Sequence, residues 1–218
     1  MFIHDHMTPS PITVTPEQTV AEAIDILLQH NIRHLPVVDE QGVLKGILSD
    51  RDLRSARPST VARSKERGTV EELVNNTRIS VLMSRDILSL SPANTLDDAL
   101  LQFESRKIGA LPVVNEEGKL VGVFTVADLM NAYRDLFGLG AKGSSLISIE
   151  DNGDPQALSK LVHIMEEKQV QFTRLVRAEG TDKRKAMIYL RINTYNVRSV
   201  YKAIEAEGFT IHVPHTSI

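Results

Sequence analysis

Two short runs in the 218-residue chain carry the groups best suited to holding a polar ligand, Ser49-Asp50-Arg51-Asp52 and Thr125-Val126-Ala127-Asp128. Each follows a glycine and two apolar residues, Gly46-Ile47-Leu48 and Gly122-Val123-Phe124. Each hydroxyl therefore stands where a buried strand ends and a helix begins. Two chemistries are open to that pattern. A hydroxyl followed three residues later by a carboxylate closes a helix capping box. The same junction can hold a ribose: the carboxylate accepts hydrogen bonds from two sugar hydroxyls, while the Ser or Thr hydroxyl and the free helix N–H groups meet polar or anionic atoms.

The two runs belong to a larger repeat. Residues 7–53 match residues 83–129 at a constant offset of 76 without a gap, and 15 of the 47 positions are identical, among them Met7/Met83, Thr19/Thr95, Pro36/Pro112, Gly46/Gly122 and Asp52/Asp128. Register kept that long marks a duplicated supersecondary unit, too small to bury its apolar face alone. Each copy reads as a short extended piece (12–14; 88–90), then a helix. Thr15 is expected to cap the first of these helices, with Pro16 at the first helical position and Gln18 completing the box. Val20, Ile24, Leu27 and Leu28 follow at helical spacing. Leu35-Pro36-Val37-Val38, a turn ending in Gly42, and residues 43–48 read as a hairpin of two buried strands, and a second helix starts at Ser49 or Thr125. Between the copies, Arg57, Arg63, Lys65 and Arg67 read as a solvated loop, and Thr69 to Leu73 as the start of a short helix with its own capping box.

Met7-Thr8-Pro9, Ile32-Arg33-His34-Leu35-Pro36-Val37-Val38-Asp39 and Gly46 through Asp52, each kept in the second copy, resemble the CBS motif. The resemblance covers about residues 3–135, as a tandem pair or Bateman module. It implies that an adenosyl ligand such as AMP, ADP or ATP binds between the motifs, with no obligatory cofactor. Carried over by position, Ser49 and Asp52 would serve one ribose, and Thr125 and Asp128 the other. Arg33, His34 and Arg51 would face phosphates of the site across, and their counterparts Gly109, Ala110 and Ala127 carry no charge. The resemblance thus implies that Thr125 and Asp128 hold the phosphorylated ligand, while the Ser49/Asp52 site lacks cations.

After 137–144, which reads as a flexible connection, the elements run strand, helix, strand, strand, helix, strand, a split βαβ order. The hairpin turns around Gly180-Thr181-Asp182, and Gly208 ends the second helix. With Asp154-Pro155-Gln156-Ala157-Leu158 at the first loop, this resembles an ACT domain over 145–214. Gln156 stands where that loop usually carries a glycine to cradle a small amino acid, which sets a structural or dimerising role at least level with amino-acid binding. The expected class is α+β. Residues 1–136 form a CBS pair of two βαββα units (about 3–57 and 79–136, joined by 58–78), 137–144 a linker, and 145–214 a ferredoxin-like βαββαβ ACT domain. CBS pair followed by ACT is similar to the acetoin-utilisation B-like proteins.

Composition narrows the chemistry. There is no cysteine, which excludes disulfides, thiolate metal sites and cysteine nucleophiles. The net charge of −3 and 5% aromatic content argue against nucleic acid and anionic membranes. No apolar run approaches a membrane span, and residues 1–6 lack the regions of a signal peptide, so a cytoplasmic location is expected. His4-Asp5-His6 offers two imidazoles but no third metal ligand. No phosphate loop, dinucleotide fingerprint or triad is evident. The expectation is a homodimeric adenine-nucleotide sensor that is not an enzyme. The alternatives are a dimeric scaffold with no ligand control, or a sensor of S-adenosylmethionine or an amino acid.

Overall fold

Two threonines, Thr19 and Thr95, set where the leading helix of each repeat begins. In a computed structural model, residues 1–56, 68, 72–140, 142–182 and 184–212 are described. The chain divides into two compact units, 1–130 and 131–218. The first copy runs β1 (Thr8–Pro9), α1 (Val20–His30), β2 (His34–Val38), β3 (Leu44–Ser49) and α2 (Asp50–Ala56). The second runs α3 (Ile79–Leu82), α4 (Leu96–Arg106), β4 (Ala110–Val114), β5 (Leu120–Thr125) and α5 (Val126–Leu136). Ahead of α1 the Thr19 side chain accepts from the Glu22 N–H while the Thr19 N–H donates to Glu22 Oε2 at 2.6 Å, and Thr95 and Asp98 repeat the box ahead of α4. The cap expected at Thr15 is therefore one turn early. Thr15 through Gln18 form a turn instead, in which the Gln18 N–H donates to the Thr15 carbonyl at 3.3 Å and the Thr15 N–H donates to Gln18 Oε1 at 2.8 Å. Pro16 serves that turn at its second position, where its fixed φ is equally at home. The linker charges Arg57, Arg63, Lys65 and Arg67 and the box at Thr69 lie outside the described residues.

The two copies complete each other by exchanging their leading segments. Strand β1 pairs with β5 of the second copy (Thr8↔Val123, Pro9↔Gly122), and Ser84 bridges Ile47 of the first. The Ile3 N–H donates to the Asn94 carbonyl and the Ile79 N–H to the Gln18 carbonyl, both at 2.8 Å. Ile79 and Met83 thereby enter the core of the first copy, among Val14, Val20, Leu27, Leu35, Val37 and Leu48. The repeated glycines make room for this. A Cβ on Gly46 would stand 2.6 Å from Met83 Sδ, and one on Gly122 would stand 2.5 Å from Met7 Sδ and 3.1 Å from the Thr8 carbonyl. At the other end the hairpin turns bond reciprocally, Leu44 N–H to the Gly118 carbonyl at 3.2 Å and Leu120 N–H to the Gly42 carbonyl at 3.0 Å.

The second unit contains β6 (Ser144–Glu150), α6 (Ala157–Glu167), β7 (Gln171–Ala178), β8 (Met187–Asn193), α7 (Val197–Ala206) and β9 (Ile211–His212). Its sheet is antiparallel in the order β7-β8-β6-β9, the split βαβ arrangement. Alternation sends Ile147, Ile149, Ile188, Leu190 and Ile192 onto one face, where they pack with Leu161, Met165, Val200 and Ile204 of the helices. Gly208 follows α7 at φ +83°, as a C′ glycine does. The stretch read as a connection is bonded to this unit: Ser144 Oγ donates to the Gly138 carbonyl at 3.3 Å, and the Thr194 N–H donates to that of Gly143 at 3.0 Å. Residues 213–218 lie outside the described residues.

Overpacking of a filled site costs about 1–3 kcal/mol. Gly122→Ala is expected to lose about that much in urea unfolding. Gly46→Ala should lose less, because the Met83 thioether can move where the Thr8 carbonyl opposite Gly122 cannot. Equal, negligible losses at both would contradict the exchange as the source of the glycine requirement.

Candidate functional site

The β2–β3 hairpin puts His34 directly opposite Ser49, and residues opposite one another in a ladder share a face. Arg33 precedes β2, and its carbonyl accepts from the Asp50 N–H at 3.0 Å. That bond ties the start of α2 to the start of β2. Helix α2 then carries Arg51 and Asp52 back over the same edge. The result is a cleft of ≈ 770 Å³ within the first unit, lined by Arg33, His34, Ser49, Arg51 and Asp52 from one copy and by Lys107, Ile108, Gly109 and Ala110 from the other.

Both hydroxyl–carboxylate runs form capping boxes. Asp52 Oδ2 accepts from the Ser49 N–H at 2.8 Å and the Ser49 hydroxyl at 2.6 Å; Asp128 Oδ2 accepts from the Thr125 N–H at 2.8 Å and the Thr125 hydroxyl at 2.7 Å. Capping uses one carboxylate oxygen, so it leaves Oδ1 available for sugar hydroxyls, and the two readings of the run are compatible. Arg33, His34 and Arg51 are gathered with Ser49 and Asp52 on one cleft, whose lining does not include Thr125 or Asp128. The register sets His34 beside Ser49, while its ring also reaches Gly109 of the second copy.

The charges in the cleft do not balance. Arg54 chelates Asp50, which withdraws that carboxylate. Among the described residues Arg33, Arg51 and Lys107 have no ion pair, and Asp52 is the remaining acid of the lining. Such an excess in a partly enclosed cleft attracts an anion. Lys107 was missed by the sequence reading. It caps α4 in the left-handed region at φ +53°, as Asn31 caps α1 at φ +51°. The signal lay in the repeat, which sets a lysine against an asparagine, but only the packing shows that Lys107 turns toward the first copy's site. Ile47, Ile108 and Ser84 also line the cleft unforeseen.

His34 lies half-buried against the second copy, where a Cβ on Gly109 would be 3.3 Å from its Cε1 and Nε2. The absent side chain there gives the ring its space. Burial pushes the His34 pKa below the ordinary histidine value; Asp52 opposes the shift, and Arg33 and Arg51 reinforce it. Among the described residues no group of three or more His, Asp or Glu could hold a metal ion. No helix of the described residues is long and apolar enough to cross a membrane.

A model of the CBS domain matches residues 3–59 and 78–135. The chain belongs to the CBS-domain family. It is 37% identical over 127 residues to the CBS domain-containing protein YhcV of Bacillus subtilis, a match covering 58% of this chain and 81% of that one. It is 34% identical over 155 residues to inosine-5'-monophosphate dehydrogenase of Aquifex aeolicus, covering 68% of this chain but only 29% of the enzyme's length. Among solved structures, the CBS domain pair of protein MJ0100 with 5'-methylthioadenosine and S-adenosyl-L-methionine is 27% identical at a TM-score of 0.52, covering 62% of this chain and 97% of that one. CBSX2 in complex with AMP gives 27% identity and a TM-score of 0.53 over 62% and 97%. A structure assigned to the acetoin utilization protein AcuB of Vibrio cholerae gives 30% and 0.53 over 64% and 94%. The α+β CBS pair is thus established for the first unit.

An unperturbed histidine titrates near 6.5. With its folded pKa depressed, His34 takes up a proton in the unfolded chain before it does in the folded one. Its contribution to stability is complete above about pH 6.5 and is lost as pH falls through the folded value. Urea midpoints measured near pH 7.5 and near pH 5.5 should fall less for His34→Gln than for the unaltered chain. Equal falls would show that His34 is as hydrated in the folded protein as out of it.

Proposed function

We propose that the chain is a non-catalytic adenine-nucleotide sensor whose CBS pair binds AMP-, ADP- or ATP-type ligands in the cleft of the first unit. One observation carries the reading. The Ser49–Asp52 junction shares a cleft with Arg33, Arg51 and Lys107, none of them ion-paired among the described residues. Asp52 would hold the ribose, Ile47 and Ile108 would flank the base, and Arg33, His34, Arg51 and Lys107 would meet the phosphates. Thr125 and Asp128 would form the second ribose holder. CBSX2 carries AMP, which supports an adenine nucleotide. The pair of MJ0100 carries S-adenosylmethionine and methylthioadenosine, which keeps the adenosyl group as the common element. The cations favour a phosphorylated ligand over those two.

The second unit is proposed as an ACT domain, on its βαββαβ order and its Asp154-Pro155 loop. Gln156 precedes α6 with its side chain exposed, and it occupies the position where a glycine would leave room for an amino acid. The unit's proposed role is therefore to dimerise the chain and pass the nucleotide signal to a partner, in a cytoplasmic protein. Light scattering should give about twice the 24.2 kDa chain mass; a monomer at micromolar concentration would remove the dimer from the proposal.

A charge-assisted hydrogen bond is worth about 1.5–3 kcal/mol. The gathering of the cations beside Ser49 moves the expected weight to that side. By calorimetry Asp52→Ala should weaken AMP or ATP by about tenfold or more, and Asp128→Ala by less. Arg33→Ala should weaken ATP while leaving adenosine nearly unchanged. A larger loss from Asp128→Ala would return the main site to Thr125 and Asp128, and no nucleotide binding by the unaltered chain would end the sensor reading.

A further inference from the structure

The sheet of the second unit has a face that its helices do not cover. Leu146 on β6, Val176 on β7 and Tyr189 on β8 point to it, opposite in alternation to the buried Ile147, Leu190 and their neighbours. Phe137 and Leu139 rise beside them, and Phe137 is steadied by stacking on Tyr133 at 6.1 Å between centroids. Together they enclose an apolar cup of ≈ 210 Å³. Two arginines complete its wall, Arg174 and Arg191. These two are direct cross-strand partners in the β7–β8 ladder. Like charges set opposite one another destabilise a strand pair. Among the described residues neither has an ion pair. Arg174 spends its Nη atoms on the carbonyls of Thr173 and Asp135, and its Nε is buried without a partner among those residues; Arg191 donates from Nη1 to Ser144 Oγ at 2.9 Å.

Two guanidiniums set side by side in the wall of the cup, with no ion pair among the described residues, call for an anion. The apolar floor calls for a carbon body. We propose that this cup binds a small organic carboxylate, with its charged end at Arg174 and Arg191 and its apolar body against Leu146, Val176 and Phe137. The planar fork of an arginine matches the two oxygens of a carboxylate. Inorganic phosphate would satisfy the charge but leave the apolar cup unfilled. The site is independent of the nucleotide cleft, whose lining shares none of these residues.

The test is calorimetry on the full chain with 4-methylpentanoate as the probe, and with its neutral amide and inorganic phosphate beside it. Saturable binding of the carboxylate is expected, with binding of the amide and of phosphate much weaker. Arg191→Gln and Arg174→Gln should each weaken the carboxylate by about tenfold or more. Leu146 stands opposite Arg191 in the β6–β8 ladder, so Leu146→Asp supplies a carboxylate from the chain itself. It should abolish probe binding with Tm unchanged or raised. Failure of the carboxylate to saturate by about 10 mM, equal binding of the amide, or undiminished binding in both arginine variants would overturn the proposal. So would a fall in Tm for Leu146→Asp, since the arginines would then need no anion. If Leu146→Asp instead converted a dimer to a monomer, the face would belong to a second copy of the chain and the carboxylate site would fall.

Discussion

Neither repeat of the first unit can close its own core, and the exchange of leading segments answers that deficit. Ile3 and Ile79 are fully buried, and each is held by backbone hydrogen bonds to the opposite copy. Burying one such side chain is worth about 1.5–3 kcal/mol, so the segments contribute most where they cross. The absence of side chains at Gly46 and Gly122 lets Met83 and Met7 lie against the hairpins. The reciprocal bonds between the hairpin turns then tie the pair at its far end. Everything at the cleft follows from this packing, because it brings residues 107–110 of one copy against His34 and Ser49 of the other.

The cleft reuses groups that the fold already needs. Ser49 and Asp52 satisfy the helix start, and the same carboxylate faces the cleft. Arg54 neutralises Asp50 on the helix surface, which leaves the cations around Asp52 in excess. An unbalanced set of exposed charges contributes little to stability, and the proposed phosphorylated ligand would give this one a role. His34 adds a group that the packing against Gly109 drives toward its neutral form. An anion among these residues meets a field that is largely assembled in advance, and little reorganisation is required of the protein.

The second unit shows the opposite economy. One face of its sheet is sealed by two helices, and the other carries apolar side chains beside Arg174 and Arg191. An antiparallel sheet can leave one face to solvent, and then that face usually carries polar residues without like charges in register. The departure from that pattern is confined to the neighbourhood of Phe137, Leu146 and Val176, where the exposed apolar atoms also collect.

Much of the architecture was legible in the chain itself. An offset kept over 47 positions requires two copies of one unit, and the alternation in 145–193 requires strands with one buried face. The capping boxes at Ser49 and Thr125 could be read from spacing, because a hydroxyl three residues before a carboxylate is a local device. Local rules failed at Thr15, where a turn and a helix start use the same residues and only the Thr19–Glu22 bonds choose between them. The resemblance sends Arg33, His34 and Arg51 to the opposite copy's ribose; the register His34↔Ser49 and the closeness of His34 to Gly109 put them where the two copies meet. Lys107 was not visible there, since its distance from Ser49 in sequence says nothing about which residues line one cleft. The sequence determined which groups exist and which element each rides on, because those are matters of neighbours in the chain. Which charges share a cleft was decided by the tertiary structure, because that depends on how one copy is turned against the other.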